Sequence, residues 1–348
     1  MKNFLLTLAL IIPIISFGTI LTVDNSSSSP GQYTNFSSAH NAAASGDTIL
    51  VRGSLLSYGS ITIKKKIILI GAGYNPSPSD VFPTIFNNIE IKKSYSIDAS
   101  GTVISGVKIK SGYNIYINGN SGYGNVDNVT IKRCYGFIKT YRTSNLKIIN
   151  NIITKLRIDI YTTSNSVVYN NIISDLSFLS NYYSNSITFD HNIFTGTTSP
   201  IFRYCIVKNS IFYGASPNNA STTHTTFSNN IAYGSTNDTF NITTNSNTGY
   251  NNINHTNPNF VSVSGTSFDF VYDYHLQTGS PAIGSSTDGT NMGIYGGLYP
   301  FPIGGTSGSG FQTSQEPAIP QIYQYNIQNQ TVQPNDSVSV NIKVSIQK

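Results

Sequence analysis

Polar and apolar positions repeat about every twenty residues through the middle of the chain. Seven copies of a short phrase carry the repeat: KRCYG, INNII, YNNII, DHNIF, KNSIF, SNNIA and YNNIN. Their third residues, taken as anchors, are Cys134, Asn151, Asn171, Asn192, Ser210, Asn230 and Asn252, spaced by 17 to 22 residues. Such a period predicts a solenoid, in which each repeat covers the apolar face of its neighbour.

The run before each anchor alternates between apolar and mixed positions. Three residues before it stand Ile131, Ile148, Val168, Phe189, Val207 and Phe227, and five before it stand Val129, Leu146, Ser166, Ile187, Cys205 and Thr225. Alternation at period two predicts a strand with one buried face. Isoleucine follows most anchors directly, so the anchor is predicted to be a bend where Asn tolerates left-handed backbone angles and stacks in a hydrogen-bonded ladder. Leucine-rich spacing with a helical segment per repeat is missing, which favours a parallel β-helix of about ten turns.

The two ends of the chain differ in composition from the repeats. Residues 1–18 combine Lys2 with an apolar stretch that is short and interrupted by Pro13, which predicts a cleaved signal peptide and export, not a membrane span. The predicted organisation is 1–18 signal peptide, 19–30 linker, 31–300 parallel β-helix, 301–320 Gly/Ser/Pro-rich linker and 321–348 C-terminal β tail. The tail alternates as two strands would, and it either docks on the β-helix or stands as a separate hairpin.

Two segments resemble the ends of known β-helix proteins. SSAHNAAASGDTILVRG followed by ITIKKKIILIGAG is similar to the helical cap and first turns of secreted bacterial right-handed parallel β-helix proteins of the pectin-lyase-like superfamily. DYHLQTGSPAIGSSTDGTNMGIYGG, residues 273–297, is similar to the segment that closes many such helices, with Met292 where that pattern usually carries an acidic residue. The resemblance covers about residues 31–300 and implies an all-β, right-handed parallel β-helix behind an N-terminal helix over 36–44. It implies little about activity, because one fold hosts many functions.

The charge of the chain bears on nucleic-acid binding, and its two cysteines bear on disulfide formation. Only 10% of the 348 residues are charged, and the net charge of +5 is scattered apart from the run at 64–66. Nucleic-acid binding needs a denser basic stripe, so we expect no nucleic-acid partner. Cys134 and Cys205 lie four predicted turns apart, about 19 Å at the usual strand spacing, which is beyond the reach of a disulfide. We expect two buried free thiols in a monomeric protein.

Enzymes of the superfamily that the chain resembles act on polysaccharides. Lyases need a basic side chain and a cation, whereas hydrolases need two or three carboxylates in one groove. The repeat brings Asp190, His191 and Lys208 into one outward patch, which makes them the catalytic candidates. A cross-strand ion pair between Asp190 and Lys208, with His191 as one more polar bend residue, explains the same pattern. Glutamate occurs at only two positions, which weighs against a glycosidase.

Aromatic side chains stack on sugar rings, so tyrosines are the binding candidates. The predicted carbohydrate-binding residues are Tyr161, Tyr169, Tyr182, Tyr183 and Arg157, although tyrosine is also a good strand former. Lys155 and Asp175 share a column and are predicted to form an ion pair.

Neither a metal site nor a cofactor is predicted. The histidines lack ligand spacing, and calcium is not indicated because the repeats have no Asp-rich turns. The first hypothesis is an exported, non-catalytic β-helix that binds polysaccharide or acts in cell-surface adhesion. The alternative is a polysaccharide lyase acting on acidic, uronate-containing glycans.

Overall fold

The chain forms a parallel β-solenoid of about nine turns, in which each turn stacks its strands on those of the turn before. The computed structural model describes residues 18–26, 31–75, 82–159, 163–178, 187–301, 320–327 and 340–346. The predicted signal peptide, apart from Gly18, and most of the predicted Gly/Ser/Pro-rich linker lie outside the described residues.

The described residues contain one helix and thirty strands. The helix is α1 (Phe36–Ala42), and the strands in chain order are β1 (Ile20–Val23), β2 (Thr48–Val51), β3 (Ile61–Ile63), β4 (Ile68–Gly71), β5 (Ile85–Phe86), β6 (Ile89–Ser94), β7 (Ile97–Asp98), β8 (Val103–Ser105), β9 (Lys108–Ile109), β10 (Asn114–Asn118), β11 (Val126–Asp127), β12 (Thr130–Lys132), β13 (Tyr135–Tyr141), β14 (Thr143–Ser144), β15 (Lys147–Ile149), β16 (Ile152–Ile158), β17 (Ser166–Tyr169), β18 (Ile172–Ile173), β19 (Leu176–Phe178), β20 (Ile187–Asp190), β21 (Ile193–Thr195), β22 (Cys205–Lys208), β23 (Ile211–Tyr213), β24 (Thr226–Ser228), β25 (Ile231–Tyr233), β26 (Thr248–Tyr250), β27 (Phe260–Ser262), β28 (Asp273–Leu276), β29 (Pro320–Ile327) and β30 (Val340–Ile346).

Strands before the bends form an 11-stranded sheet in the order β1-β2-β4-β8-β12-β15-β17-β20-β22-β24-β26. Its named neighbours are parallel, and the predicted register is confirmed: Ile131, Ile148, Val168, Phe189, Val207 and Phe227 pair in succession. All six side chains are buried in one continuous apolar core. Alternation at period two therefore placed the inward face correctly.

Strands after the bends form a 13-stranded sheet whose main path is β25-β23-β21-β18-β16-β13-β10-β6-β3. The longest of these, β13 and β16, have seven residues each and pair in parallel. Their inward residues, which include Ile138, Leu156 and Ile158, complete the same core. The two large sheets thus enclose the core from two sides.

The predicted helical cap is confirmed at the N-terminal end. The Asn35 side chain accepts a hydrogen bond of 2.9 Å from the backbone N–H of Ser38, which satisfies a free donor at the first turn of α1. Phe36 and Ala39 pack into the core, and the Phe36 ring meets Phe86 edge to face with 5.9 Å between centroids. The cap thereby covers apolar surface that an open first turn would expose.

The segment predicted as a linker over 19–30 differs from that expectation. Residues 20–23 form β1, which pairs in parallel with β2 as the first strand of the 11-stranded sheet. Leu21 and Val23 belong to the core, so even this short apolar alternation is enough to extend the sheet.

The predicted C-terminal strand pair is confirmed. β29 and β30 pair antiparallel as a two-stranded sheet of their own.

Candidate functional site

The anchor asparagines stack into the predicted ladder inside the solenoid. The Asn171 Oδ1 accepts hydrogen bonds from the backbone N–H and the side-chain Nδ2 of Asn151, at 2.8 and 2.9 Å. Asn171 donates in turn to Asn192 Oδ1, at 3.0 Å from its backbone and 3.1 Å from its side chain. The ladder continues through Ser210 and Asn230 to Asn252. These amides bind one another and buried backbone, so they are structural.

Left-handed backbone occurs one residue before each anchor, which corrects the predicted position of the bend. Values of φ between 51° and 55° occur at Arg133, Asn150, Asn170, His191, Asn209, Asn229 and Asn251. We call these seven residues the bend column. The anchor amide faces inward to reach the ladder, so the residue before it makes the turn. Asn is frequent in the bend column because it tolerates this region better than most side chains.

A C-terminal strap, residues 280–301, covers much of the bend column. Amides of the column donate to it in order, from Asn229 to Ser285 O (3.1 Å), from Asn209 to Thr287 Oγ1 (2.9 Å), from Asn170 to Ile294 O (3.0 Å) and Gly296 O (2.8 Å), and from Asn150 to Tyr299 O (2.8 Å). The strap therefore runs back along the solenoid towards its N-terminal end. The bend column has two functions: it turns the chain and it binds the strap.

Apolar contacts hold the underside of the strap. The isoleucines that follow the anchors turn away from the inner core and form a second cluster with the strap. Met292, which stands where the resembling pattern usually has an acidic residue, is 2% exposed within this cluster beside Ile294. An apolar contact therefore occupies that position in this protein.

The predicted catalytic residues Asp190, His191 and Lys208 do lie together. The Asp190 carboxylate is 2.7 Å from Nδ1 of His191 and 3.3 Å from Nζ of Lys208, so the predicted Asp190–Lys208 ion pair is confirmed. His191 is only 2% exposed, because Gly296 and Gly297 pack against its ring and its Nε2 lies 3.2 Å from Thr290 Oγ1. The imidazole thus lies beneath the strap.

The electrostatics of this cluster favour ionised carboxylates. Burial alone raises the pKa of Asp190, but the hydrogen bond and charge of His191, the Asn209 amide and the Lys208 ammonium outweigh it, and the net pKa lies below its usual range. An ionised Asp190 is suited to pairing with cations and unsuited to donating a proton. A catalytic role for the three residues stays a prediction that nothing tests.

The predicted carbohydrate-binding residues do not form one patch in the described chain. Tyr169 lies on β17 of the 11-stranded sheet, half-buried, and stacks on Tyr299 of the strap with 5.9 Å between ring centroids. Arg157 lies on β16 of the 13-stranded sheet, beyond the bend. Tyr161, Tyr182 and Tyr183 lie outside the described residues. The Tyr169 ring is thus partly covered by the chain itself, and Arg157, which is also half-buried, lies on the other sheet.

A cleft of about 560 Å³ opens on the 13-stranded sheet, near the N-terminal end. Its walls include the aromatic rings of Tyr113, Tyr135 and Phe137. None of the described residues predicted from the sequence to bind carbohydrate lines this cleft. Part of its lining comes from residues 108–113, which precede the seven anchored repeats, so periodicity gives no signal for it.

Local backbone features shape the cleft. Between β13 and β16 the register shifts by one residue, so Thr154 has no partner in the ladder and lines the cleft with Lys155. Gly136 has a φ of 135°, and a Cβ there would stand 2.7 Å from Cβ of Ile109. A tight turn, closed by a 3.1 Å hydrogen bond from Tyr113 N to Lys110 O, presents the Tyr113 side chain.

The cleft is basic. Three lysines line it: Lys108, Lys110 and Lys155. Nζ of Lys108 lies 5.7 Å from the centroid of the Tyr135 ring, and Nζ of Lys155 lies 2.7 Å from Asp175, which confirms that predicted ion pair. None of the described residues that line the cleft carries a carboxylate. Cations beside aromatic rings can bind an anionic sugar, whereas hydrolysis needs the paired carboxylates that this lining lacks.

No protein-family model matches the chain, and a search of curated proteins finds no match. In the part of the chain that the structure describes, no α-helix has the length and apolar character needed to cross a bilayer. Within those same ranges, no three His, Cys, Asp or Glu side chains group so that they could hold a metal ion.

Proposed function

We propose that the chain is an exported, non-catalytic β-helix protein that binds an acidic polysaccharide in the basic cleft, and that it acts in adhesion through this glycan. The observation that carries the proposal is the lining of the cleft, with three lysines and three aromatic rings and no carboxylate among the described residues. Lysines attract the carboxylates of a uronate chain, and tyrosine rings offer flat apolar faces to the sugar rings.

Calorimetric titration with oligogalacturonate tests the proposal. The affinity is expected to fall as salt rises, because ions screen the exposed Lys110. Lys110→Gln and Tyr113→Ser should each weaken binding about tenfold, through loss of one charged hydrogen bond or one stacked ring. Lys147→Gln is the matched control, because Lys147 is an exposed lysine on the 11-stranded sheet and does not line the cleft. Equal losses in Lys110→Gln and Lys147→Gln would contradict a site in the cleft.

The alternative function is a polysaccharide lyase, with Asp190, His191 and Lys208 as its catalytic residues. These residues are close enough to exchange protons, but a glycan reaches His191 only when the strap moves aside. Absorbance of the unsaturated product of uronate glycans separates the two functions. Turnover that His191→Ala or Lys208→Ala abolishes would replace the binding proposal with the lyase.

A further inference from the structure

An apolar residue, Leu55, lies at the basic cleft, although a purely polar ligand would gain nothing from contact with it. Leu55 lines the cleft and is 74% exposed. Its neighbour Leu56 is 64% exposed and is not part of the lining. Isolated exposed leucines are common on protein surfaces, so position, not exposure, distinguishes Leu55.

Hydrogen bonds fix the loop that carries these leucines. Nδ2 of Asn25 donates to the carbonyl oxygens of Leu56 and Ser57, at 3.2 and 3.4 Å, and the Leu56 N–H donates to Oγ of Ser54 at 3.1 Å. Oγ of Ser57 donates to Oδ1 of Asn87 at 3.1 Å. Because residues on both sides of Leu55 are hydrogen-bonded, the loop backbone places this residue at the cleft before any ligand arrives.

One more apolar side chain extends the apolar wall beyond Leu55. Ile85 of β5 is half-buried and lines the same cleft, whereas the side chain of Ile109 on the paired strand β9 is 2% exposed and belongs to the inner core. A sugar hydroxyl placed against leucine or isoleucine loses hydrogen bonds to water and gains none. A methyl group placed there gains from leaving water. The cleft therefore combines cationic groups for an acid with an apolar wall for a substituent.

We infer that the acidic glycan bound in the cleft carries an O-acyl group, and that this group packs against Leu55. The inference rests on the proposed glycan binding and adds the ligand's chemical class. An O-acyl group keeps the carboxylate charge that the lysines need, whereas a methyl ester on that carboxylate removes it. A concave site lined by Leu55 and not by Leu56 favours a ligand that enters the cleft over a flat lipid surface.

The test compares oligogalacturonate with its chemically O-acetylated form at equal length and salt. Wild-type protein should bind the acetylated form about fourfold more tightly, which corresponds to about 0.8 kcal/mol for one buried methyl group. Leu55→Ser should abolish that preference. Leu56→Ser, the matched control, should keep the preference, and Lys110→Gln should weaken binding of both forms by the same factor. Both leucines are exposed, so neither variant removes core packing.

The outcomes separate the two levels of the proposal. Equal wild-type affinity for both forms overturns the O-acyl inference and leaves glycan binding intact. Binding of neither form overturns the proposed function itself. A third arm uses phosphatidylglycerol vesicles: co-sedimentation that Leu55→Ser and Leu56→Ser weaken equally would show a membrane contact and overturn the O-acyl inference.

Discussion

Asn171 and Asn192 lie on successive turns, and the Nδ2 of Asn171 donates a 3.1 Å hydrogen bond to Oδ1 of Asn192. The same Nδ2 lies 2.9 Å from the carbonyl oxygens of Ile148 and Tyr169. One fully buried amide therefore joins three successive turns of the solenoid. Its removal takes away the Oδ1 that accepts the buried Asn151 N–H as well as the three bonds of Nδ2, and this determines the first prediction.

We expect Asn171→Ala to lower the free energy of unfolding by about 3 kcal/mol, because unsatisfied buried donors and acceptors each cost about 1–3 kcal/mol. Urea denaturation of both proteins measures the difference. The control is Asn165→Gly, at an exposed bend residue with a φ of 48°, where glycine keeps the left-handed backbone. That variant should lose less than about 1 kcal/mol. Equal losses would mean that the buried ladder amide contributes no more to stability than an exposed bend residue does.

The ladder was predictable from the sequence because it repeats. Asn151, Asn171 and Asn192 recur at the turn length, so their stacking follows from spacing alone. The shift of the left-handed residue to the position before the anchor was not predictable, because Asn fills both positions in INNII and YNNII. Only the inward direction of the anchor amide distinguishes them.

Neither the strap nor the cleft could be predicted from the repeat. The carbonyl oxygens of Ile294 and Gly296 accept hydrogen bonds from the Asn170 amide. Every residue has a backbone carbonyl, so the sequence does not show which ones act as acceptors. The spacing therefore predicted correctly that Asp190, His191 and Lys208 lie together, but it did not predict that the strap covers His191. In the cleft, the unpaired Thr154 arises from a register shift between two strands, which depends on pairing and not on composition.

The second prediction concerns attachment of the strap. Asn170→Gly keeps the backbone conformation at φ 53° but removes the hydrogen bonds to Ile294 O and Gly296 O. We expect a loss of about 1–2 kcal/mol in unfolding free energy, because Gly296 O loses its donor while Ile294 O keeps the hydrogen bond from the Phe301 N–H. Hydrogen exchange of the strap amides should accelerate while the ladder amides stay protected. Asn165→Gly makes the same substitution at a residue away from the strap. If hydrogen exchange of the strap amides were equally faster in that variant, the Asn170 amide would not be what attaches the strap.

The third prediction uses the two thiols, since burial raises the pKa of Cys134 and of Cys205 to about 12. The thiolate is the reactive form, and only about one thiol in ten thousand is ionised at pH 8. We expect mass spectrometry to find both cysteines unmodified after iodoacetamide treatment of the native protein and fully modified in urea. Ser111→Cys, at an exposed residue of the cleft, is the positive control and should react in the native state. Rapid native labelling of Cys134 or Cys205 would show that the solenoid opens.

The fourth prediction is acid sensitivity of the strap through Asp288. Burial raises the pKa of its carboxyl, but hydrogen bonds from Ser286 and Thr290 and the charge of His191 outweigh this and lower the pKa to about 2. Because the folded pKa lies below the usual value of about 4, the unfolded chain binds the proton more tightly. The stability that this carboxylate contributes is therefore fully present above about pH 4 and is lost as the pH falls through about 2.

Urea denaturation midpoints at about pH 5 and about pH 2.5, on either side of the usual carboxyl pKa, measure the effect in the wild type and in Asp288→Asn. We expect the wild type to lose more stability between the two pH values than the variant, because the substituted amide has no proton to gain. The variant should also be less stable than the wild type at the higher pH, where the carboxylate accepts hydrogen bonds of 3.0 Å from the Thr290 N–H and 2.7 Å from its hydroxyl. Identical losses in both proteins would assign the acid sensitivity to other carboxylates, of which Asp190 is the next to replace, since its pKa is also lowered.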